Sequence, residues 1–163
     1  AAIPKKIESD AKAQILHRRQ QRMKNALCSV DAEILAVLGT LRQKGCKLCL
    51  ISNADFIDCM FWHDSPLCPL FDEAVFSCNA GMLKPDPAIY RYAMELTGAK
   101  PEQSLFVGDG GSNELFGAKQ AGMQTVFAEW FDQKDENAAK RINESADFRI
   151  GKISRLIDIV DFE

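Results

Sequence analysis

The chain has 163 residues, of which 47% are hydrophobic and 26% charged, enough apolar material for one ordinary globular domain. A net charge of −3 and a pI near 5.5 argue against a nucleic-acid binder held by charge. No apolar run approaches the roughly 18–20 residues of a membrane span, and the N-terminal stretch, opening Ala1-Ala2-Ile3-Pro4, carries no signal-peptide core.

Charge is unevenly spread. Residues 1–27 carry a balance of +5 and the remainder −8, so a basic leader precedes an acidic body. The leader, Pro4 to Leu27, reads as a helix rich in Ala, Gln, Lys, Arg and Met. Its apolar stripe is thin: Ile3, Ile7, Ala11, Ile15, Met23 and Leu27. The run His17 to Arg22 reads as a solvated face, with a patch steering an anionic substrate as the alternative. Asp31 to Lys44 predicts an amphipathic helix capped by Ser29 or Asp31 and stopped at Gly45.

Lys47 to Ser52 is a near-continuous apolar run, the pattern of a parallel strand buried on both faces. A helix is expected over Asp55 to Trp62, then a loop with Pro66 and Pro69 and a strand over Ala74 to Ser77. Pro87 to Thr97 predicts a helix with proline in its first turn. Leu105 to Gly108 predicts a strand, Asn113 to Ala121 a helix and Thr125 to Ala128 a strand. A polar helix over Gln133 to Asn143, a strand over Phe148 to Ile150 and a helix over Ile153 to Val160 complete the series. This alternation implies βαβ units: an α/β, Rossmann-like parallel sheet with helices on both faces, its ligands bound at the carboxyl ends of the strands.

Six cysteines without a repeating framework read as small buried hydrophobes in a reducing cytoplasm. Cys46 and Cys49 have C-x-x-C spacing but sit in a strand pattern, and with His17 and His63 the only histidines a zinc site is not expected.

Three strand ends carry chemistry. In Leu50-Ile-Ser52-Asn53-Ala54 a hydroxyl and an amide stand where strand gives way to helix, forming either an anion site or a simple helix cap. In Gly81-Met-Leu-Lys84-Pro85-Asp86-Pro87 a lysine is held on a proline-stiffened loop, as a placed charge or an ordinary surface residue. In Val107-Gly-Asp109-Gly-Gly-Ser-Asn113-Glu114 an aspartate leaves a strand just ahead of Asn113 and Glu114, oxygen donors suited to a hard cation or to a capped turn. Together they supply a hydroxyl, a cation and metal-binding acids, the parts for holding a phosphoryl group.

These segments resemble the haloacid dehalogenase-like hydrolases from about Asp31 to about Trp130. The resemblance implies that Ser52, with Asn53 and Lys84, holds phosphoryl oxygens, that Lys84 also steadies the nucleophile, and that Asp109 carries magnesium (Mg2+), joined by Asn113 and Glu114. It implies residues 1–30 as part of a helical cap and 31–163 as the α/β core. It also implies a cytoplasmic phosphohydrolase working through an aspartyl-phosphate on a small phosphorylated metabolite, without nucleic acid or membrane. Two departures stand out. Glu114 occupies the position of a usual second aspartate, and the Asp-x-Asp of the family's first, central strand is absent from the 163 residues. A sheet lacking that strand is incomplete, so the chain alone is expected to be inactive and open to self-association across the gap. The alternatives are a haloacid dehalogenase, or a non-catalytic binding or assembly protein on the same scaffold.

Overall fold

A computed structural model describes residues 9–130 and 136–160. The expected starts of the leader helix (residues 4–8, with Ile7 of its stripe) and of the polar helix (133–135), together with Ile3, lie outside the described residues.

Helix α1 (Ser9–Cys28) buries none of its residues, and Ile15 of the expected stripe is 59% exposed because no described element packs on it. Polar contacts hold it instead. Arg19 lies 2.6 Å from Asp55 and 2.9 Å from Asp58, and Ser65 Oγ donates to the Leu27 carbonyl at 2.6 Å. Arg19 is therefore tied to a neighbouring helix, while Arg18 and Arg22 remain exposed. Asp31 caps α2 (Ala32–Gln43) by accepting from Glu33 N at 2.7 Å, and Val37 and Leu41 form its buried face.

Strand β1 (Cys49–Ser52) is shorter than expected at its start. Lys47 is used elsewhere, donating its ammonium to the Thr97 carbonyl at 2.6 Å, where a helix C-terminus attracts a cation. After β1, α3 (Phe56–Cys59) opens on a capping box made by Asp55 and Asp58. It stops short of the expected Trp62, whose indole swings into the core, 5% exposed, to meet Phe71 and Phe76 edge-on at 5.6 and 5.9 Å.

Strand β2 (Glu73–Phe76) pairs in parallel with β1, Ser52 opposite Phe76. Ser77, expected at its end, instead begins α4 (Ser77–Ala80) because its hydroxyl receives the Ala54 N–H and donates to the Ala54 carbonyl. Asp86 caps α5 (Pro87–Thr97), accepting from Ala88 N at 2.9 Å, with Pro87 in the first turn.

A second sheet holds β3 (Leu105–Gly108), β4 (Gln124–Ala128) and β5 (Phe148–Ile150), all parallel in the order given. Helix α6 (Glu114–Gln120) follows β3, α7 (Glu136–Ser145) follows β4 and α8 (Arg155–Val160) follows β5. The alternation is the expected α/β one. α5 packs on β1 and β2, α6 packs on β3 and β4, and the two helices lie against each other. Val75, Phe106 and Phe127 from both sheets share one core with Ile89, Tyr90, Met94 and Leu115. The opposite face of the second sheet packs Val126 and Ile150 against Leu156 of α8.

Among the described residues the sheets share no ladder: β1 pairs only with β2, and β3 only with β4. All of β1 is half-buried, and Val107 in the middle of β3 is 37% exposed. Parallel strands are ordinarily covered on both faces and paired on both edges, so β1 and β3 each leave an edge unpaired among the described residues, while side chains of both sheets share one core.

Beside β4 a polar network replaces apolar packing. Asp147 accepts from Thr125 N at 3.0 Å and Thr125 Oγ1 at 2.9 Å, and pairs with Lys119 at 2.7 Å, while Thr125 is fully buried. Partial burial works to raise the Asp147 pKa, but the bonds from Lys119 and Thr125 outweigh it and hold the group below its ordinary 3.8. Asp147→Ala should cost about 1–2 kcal/mol, mostly from the Thr125 N–H left without its acceptor, because the Thr125 hydroxyl keeps the Ser145 carbonyl and the Lys119 pair is solvent-screened. A depressed carboxyl stabilises above its unfolded pKa, so this difference persists at neutral pH and fades below about pH 3.8. Denaturant melts of both proteins across pH would measure it.

Candidate functional site

The carboxyl ends of β1 and β3 open on the same side, and the Lys84 loop lies between them. Ser52 closes β1 half-buried. Asn53 has a task that phosphate binding alone did not suggest: its amide clamps the Lys84 backbone. Lys84 N donates to Asn53 Oδ1 at 2.7 Å, and Asn53 Nδ2 donates to the Lys84 carbonyl at 2.9 Å. The clamp fixes the end of β1 to the lysine loop, whose Lys84–Pro85 peptide is cis.

The Lys84 side chain runs inward. Its ammonium lies 2.5 Å from Glu114 Oε2 and 5.6 Å from the centre of the Phe106 ring. Both partners are largely buried, with side chains 13% and 6% exposed. Asp109 follows β3, and its Oδ1 accepts Gly111 N at 2.8 Å, turning the chain back toward α6. The Asp109 carboxyl adjoins that of Glu114. Tyr90, fully buried, donates its hydroxyl to the Glu114 carbonyl at 2.7 Å and sets the first turn of α6.

Two glycines allow this approach. A Cβ on Gly117 would strike the Pro85 backbone carbonyl, so α6 rests directly on the lysine loop. One on Gly108 would strike the Glu114 carboxylate and the Phe106 ring.

Burial is the strongest influence on Glu114 and pushes its carboxyl above the ordinary range. Lys84 pulls it back down and the adjoining Asp109 pushes it up again. Two carboxyls with one ammonium, in a partly dry site, leave a deficit of positive charge, and an oxygen-only donor set suits a hard cation such as Mg2+. Among the described residues no cluster of three His, Cys, Asp or Glu forms, so Asp109 and Glu114 stand as two adjoining carboxyls without a third such donor.

The structure thus joins Asn53, Lys84, Glu114 and Asp109 in one chain of contacts, with Ser52 adjacent to Asn53. Asn113 is set apart. It adopts a left-handed backbone (φ 52°), so α6 starts one residue later than expected, and its side chain makes no capping bond. It lines a cleft of about 340 Å³ between α6 and α7 with Phe116, Lys119 and Arg141. Sequence reading missed the Asn53 clamp, the Lys84–Glu114 pair and the Tyr90 bond, each made between distant segments with no local signature.

The structure is thus a parallel α/β scaffold that brings a lysine and two carboxylates together near the ends of β1 and β3. A family model described as haloacid dehalogenase-like hydrolase matches residues 3–122, and the chain belongs to that family. It is 33% identical over 104 residues to bifunctional epoxide hydrolase 2 of Rattus norvegicus, covering 61% of the chain and 19% of that protein. It is 32% identical over 94 residues to glyceraldehyde 3-phosphate phosphatase of Pyrococcus furiosus, covering 57% of the chain and 38% of that protein. The crystal structure of a HAD phosphatase from Thermococcus onnurineus superposes with TM-score 0.65 at 26% identity, covering 80% of the chain and 58% of its own. The L-2-haloacid dehalogenase RSc1362 shares the fold, with TM-score 0.72 at 21% identity over 96% of the chain and 64% of its own. The chain spans about two fifths or less of the length of these curated relatives.

Proposed function

We propose that these residues form part of an Mg2+-dependent phosphate-monoester hydrolase acting on a small phosphorylated metabolite in the cytoplasm. The observation that carries the reading is Lys84: clamped through its backbone by Asn53, its ammonium pairs with Glu114, whose carboxyl adjoins that of Asp109. In this reading residues 31–163 are the catalytic core and residues 1–30 belong to a helical cap.

Lys84 and the Ser52 hydroxyl, with the backbone N–H groups that follow it, hold the phosphoryl oxygens. Asn53 keeps Lys84 in register. Asp109 and Glu114 would hold Mg2+, which when bound neutralises phosphoryl charge. The nucleophile in this reading would be an aspartate on a strand that pairs with the edges of β1 and β3. Its attack on phosphorus would break the ester P–O bond, release the substrate's alcohol and form an aspartyl-phosphate, which water would then cleave to inorganic phosphate and the free carboxylate. Without that strand the chain is inactive, and its open edges favour self-association. The adjoining carboxyls favour phosphatase over dehalogenase chemistry, which has no phosphoryl-bound cation to hold.

The test is hydrolysis of p-nitrophenyl phosphate by the protein carrying an Asp-x-Asp strand, with and without Mg2+. Activity should need the metal, and Asp109→Asn should lower kcat/KM by about a thousandfold or more. Metal-independent activity, or an unaffected Asp109→Asn variant, would refute the reading. Absence of any such strand from the full-length protein would favour the non-catalytic alternative.

A further inference from the structure

Cys59, the last residue of α3, and Cys78, in α4, bring their sulfur atoms to 3.8 Å across 19 residues of sequence. The backbones around them are already joined. Cys78 N donates to the Ala54 carbonyl at 3.3 Å, and the Ser77 hydroxyl bonds both the N–H and the carbonyl of Ala54. Cys78 is exposed and Cys59 half-buried, and both are free thiols. Cys46 and Cys49, despite their C-x-x-C spacing, make no sulfur–sulfur contact among the described residues, and the Cys49 Sγ rests on the Leu50 carbonyl. A disulfide needs its sulfurs about 2.05 Å apart, so forming the bond draws these two sulfurs together from 3.8 Å.

We propose that Cys59 and Cys78 are a thiol-modification site that closes reversibly to an intramolecular disulfide on exchange with a low-molecular-weight disulfide of the glutathione class. Cys78, the exposed partner, loses its proton and attacks one sulfur of the oxidant, expelling a first small thiol and leaving a mixed disulfide. Cys59 then loses its proton and attacks the Cys78 sulfur, expelling a second small thiol. Two protein thiols are oxidised to one disulfide, and the small disulfide is reduced to two thiols. Burial first, and then contact with Cys78, pushes the Cys59 thiol up to about 11, which makes it the resolving rather than the attacking sulfur.

The bond would tether α3 to α4. Residues 53–59 leave β1 directly after Ser52, and they are held in the reduced protein by the Asp55 capping box and the Arg19 ion pairs. A covalent link at Cys59 fixes the far end of this segment and so stiffens the loop that carries the Asn53 clamp.

The experiment treats the protein with glutathione disulfide, counts thiols and maps peptides by mass spectrometry. Expected are the loss of two of its six thiols, a Cys59–Cys78 linked peptide, and recovery with dithiothreitol. Hydrogen exchange over residues 53–59 should slow by about tenfold in the oxidised form. Cys59→Ser should stop at a glutathione adduct on Cys78, while Cys46→Ser should leave the bond intact. Six unreacted thiols, glutathione adducts without the linked peptide, a Cys46–Cys49 bond or only intermolecular dimers would each overturn the proposal. The map of the unsubstituted protein decides the matter even where a variant fails to fold.

Discussion

Lys84→Met should destabilise the protein by about 3 kcal/mol at neutral pH, because it strands the buried Glu114 carboxylate beside Asp109. The loss should depend on pH in a definite direction. Glu114 already titrates above its ordinary 4.5, burial being the main cause and Lys84 the main restraint. Without the ammonium its pKa rises further. An acid whose folded pKa is raised binds its proton more tightly in the folded state. Stability therefore falls as pH climbs from the unfolded value through the folded one. The variant should thus come closest to the parent near pH 4.5 and diverge as the pH rises. Lys84→Met with Glu114→Gln should recover part of the loss, since the stranded charge is gone. Denaturant unfolding of the parent, Lys84→Met, Glu114→Gln and the double variant across pH forms a complete double-mutant cycle. A coupling near zero would mean that the pair is not formed.

Gly117→Ala should be comparably damaging, at about 3 kcal/mol, although it adds one methyl group to a helix that would ordinarily welcome alanine. The new Cβ meets the Pro85 backbone carbonyl rather than a side chain that could rotate away. To relieve the clash α6 must lift from the lysine loop, and Lys84 and Glu114 must separate. Thermal melts should show the destabilisation, and amide shifts near Lys84 and Glu114 should move in the variant. A neutral or stabilising Gly117→Ala would contradict the close approach of helix and loop.

These effects mark where the amino-acid pattern was informative. Apolar runs ending in turn-forming residues located the ends of β1 and β3, and Ser52 and Asp109 with them, whereas Lys84 stands not at a strand end but on the loop after α4. The elements over Pro87–Thr97, Leu105–Gly108 and Phe148–Ile150 match the structure at both ends, because caps and turns are local signals. Elements governed by distant partners departed from expectation. Lys47 left its strand to reach a helix end, and Trp62 left its helix to reach Phe71 and Phe76. Glu114 was legible as an oxygen donor but not as the partner of Lys84, since 30 residues separate them and only the packing of α6 on the loop joins them. Asn53 likewise looked like a ligand-facing amide, whereas its bonds go to the backbone of Lys84, 31 residues away. Among the described residues β1 and β3 do not pair, and the two sheets meet through their shared core.

The central claim is that segments far apart in sequence act as one phosphoryl and metal site. Titrating the isotope-labelled protein with inorganic phosphate and Mg2+ while following its amide resonances tests it most directly. Ser52 to Ala54, Lys84 and Asp109 to Gly111 should shift together along one binding curve that steepens with metal. Shifts confined to one of these segments, or separate curves for each, would contradict it.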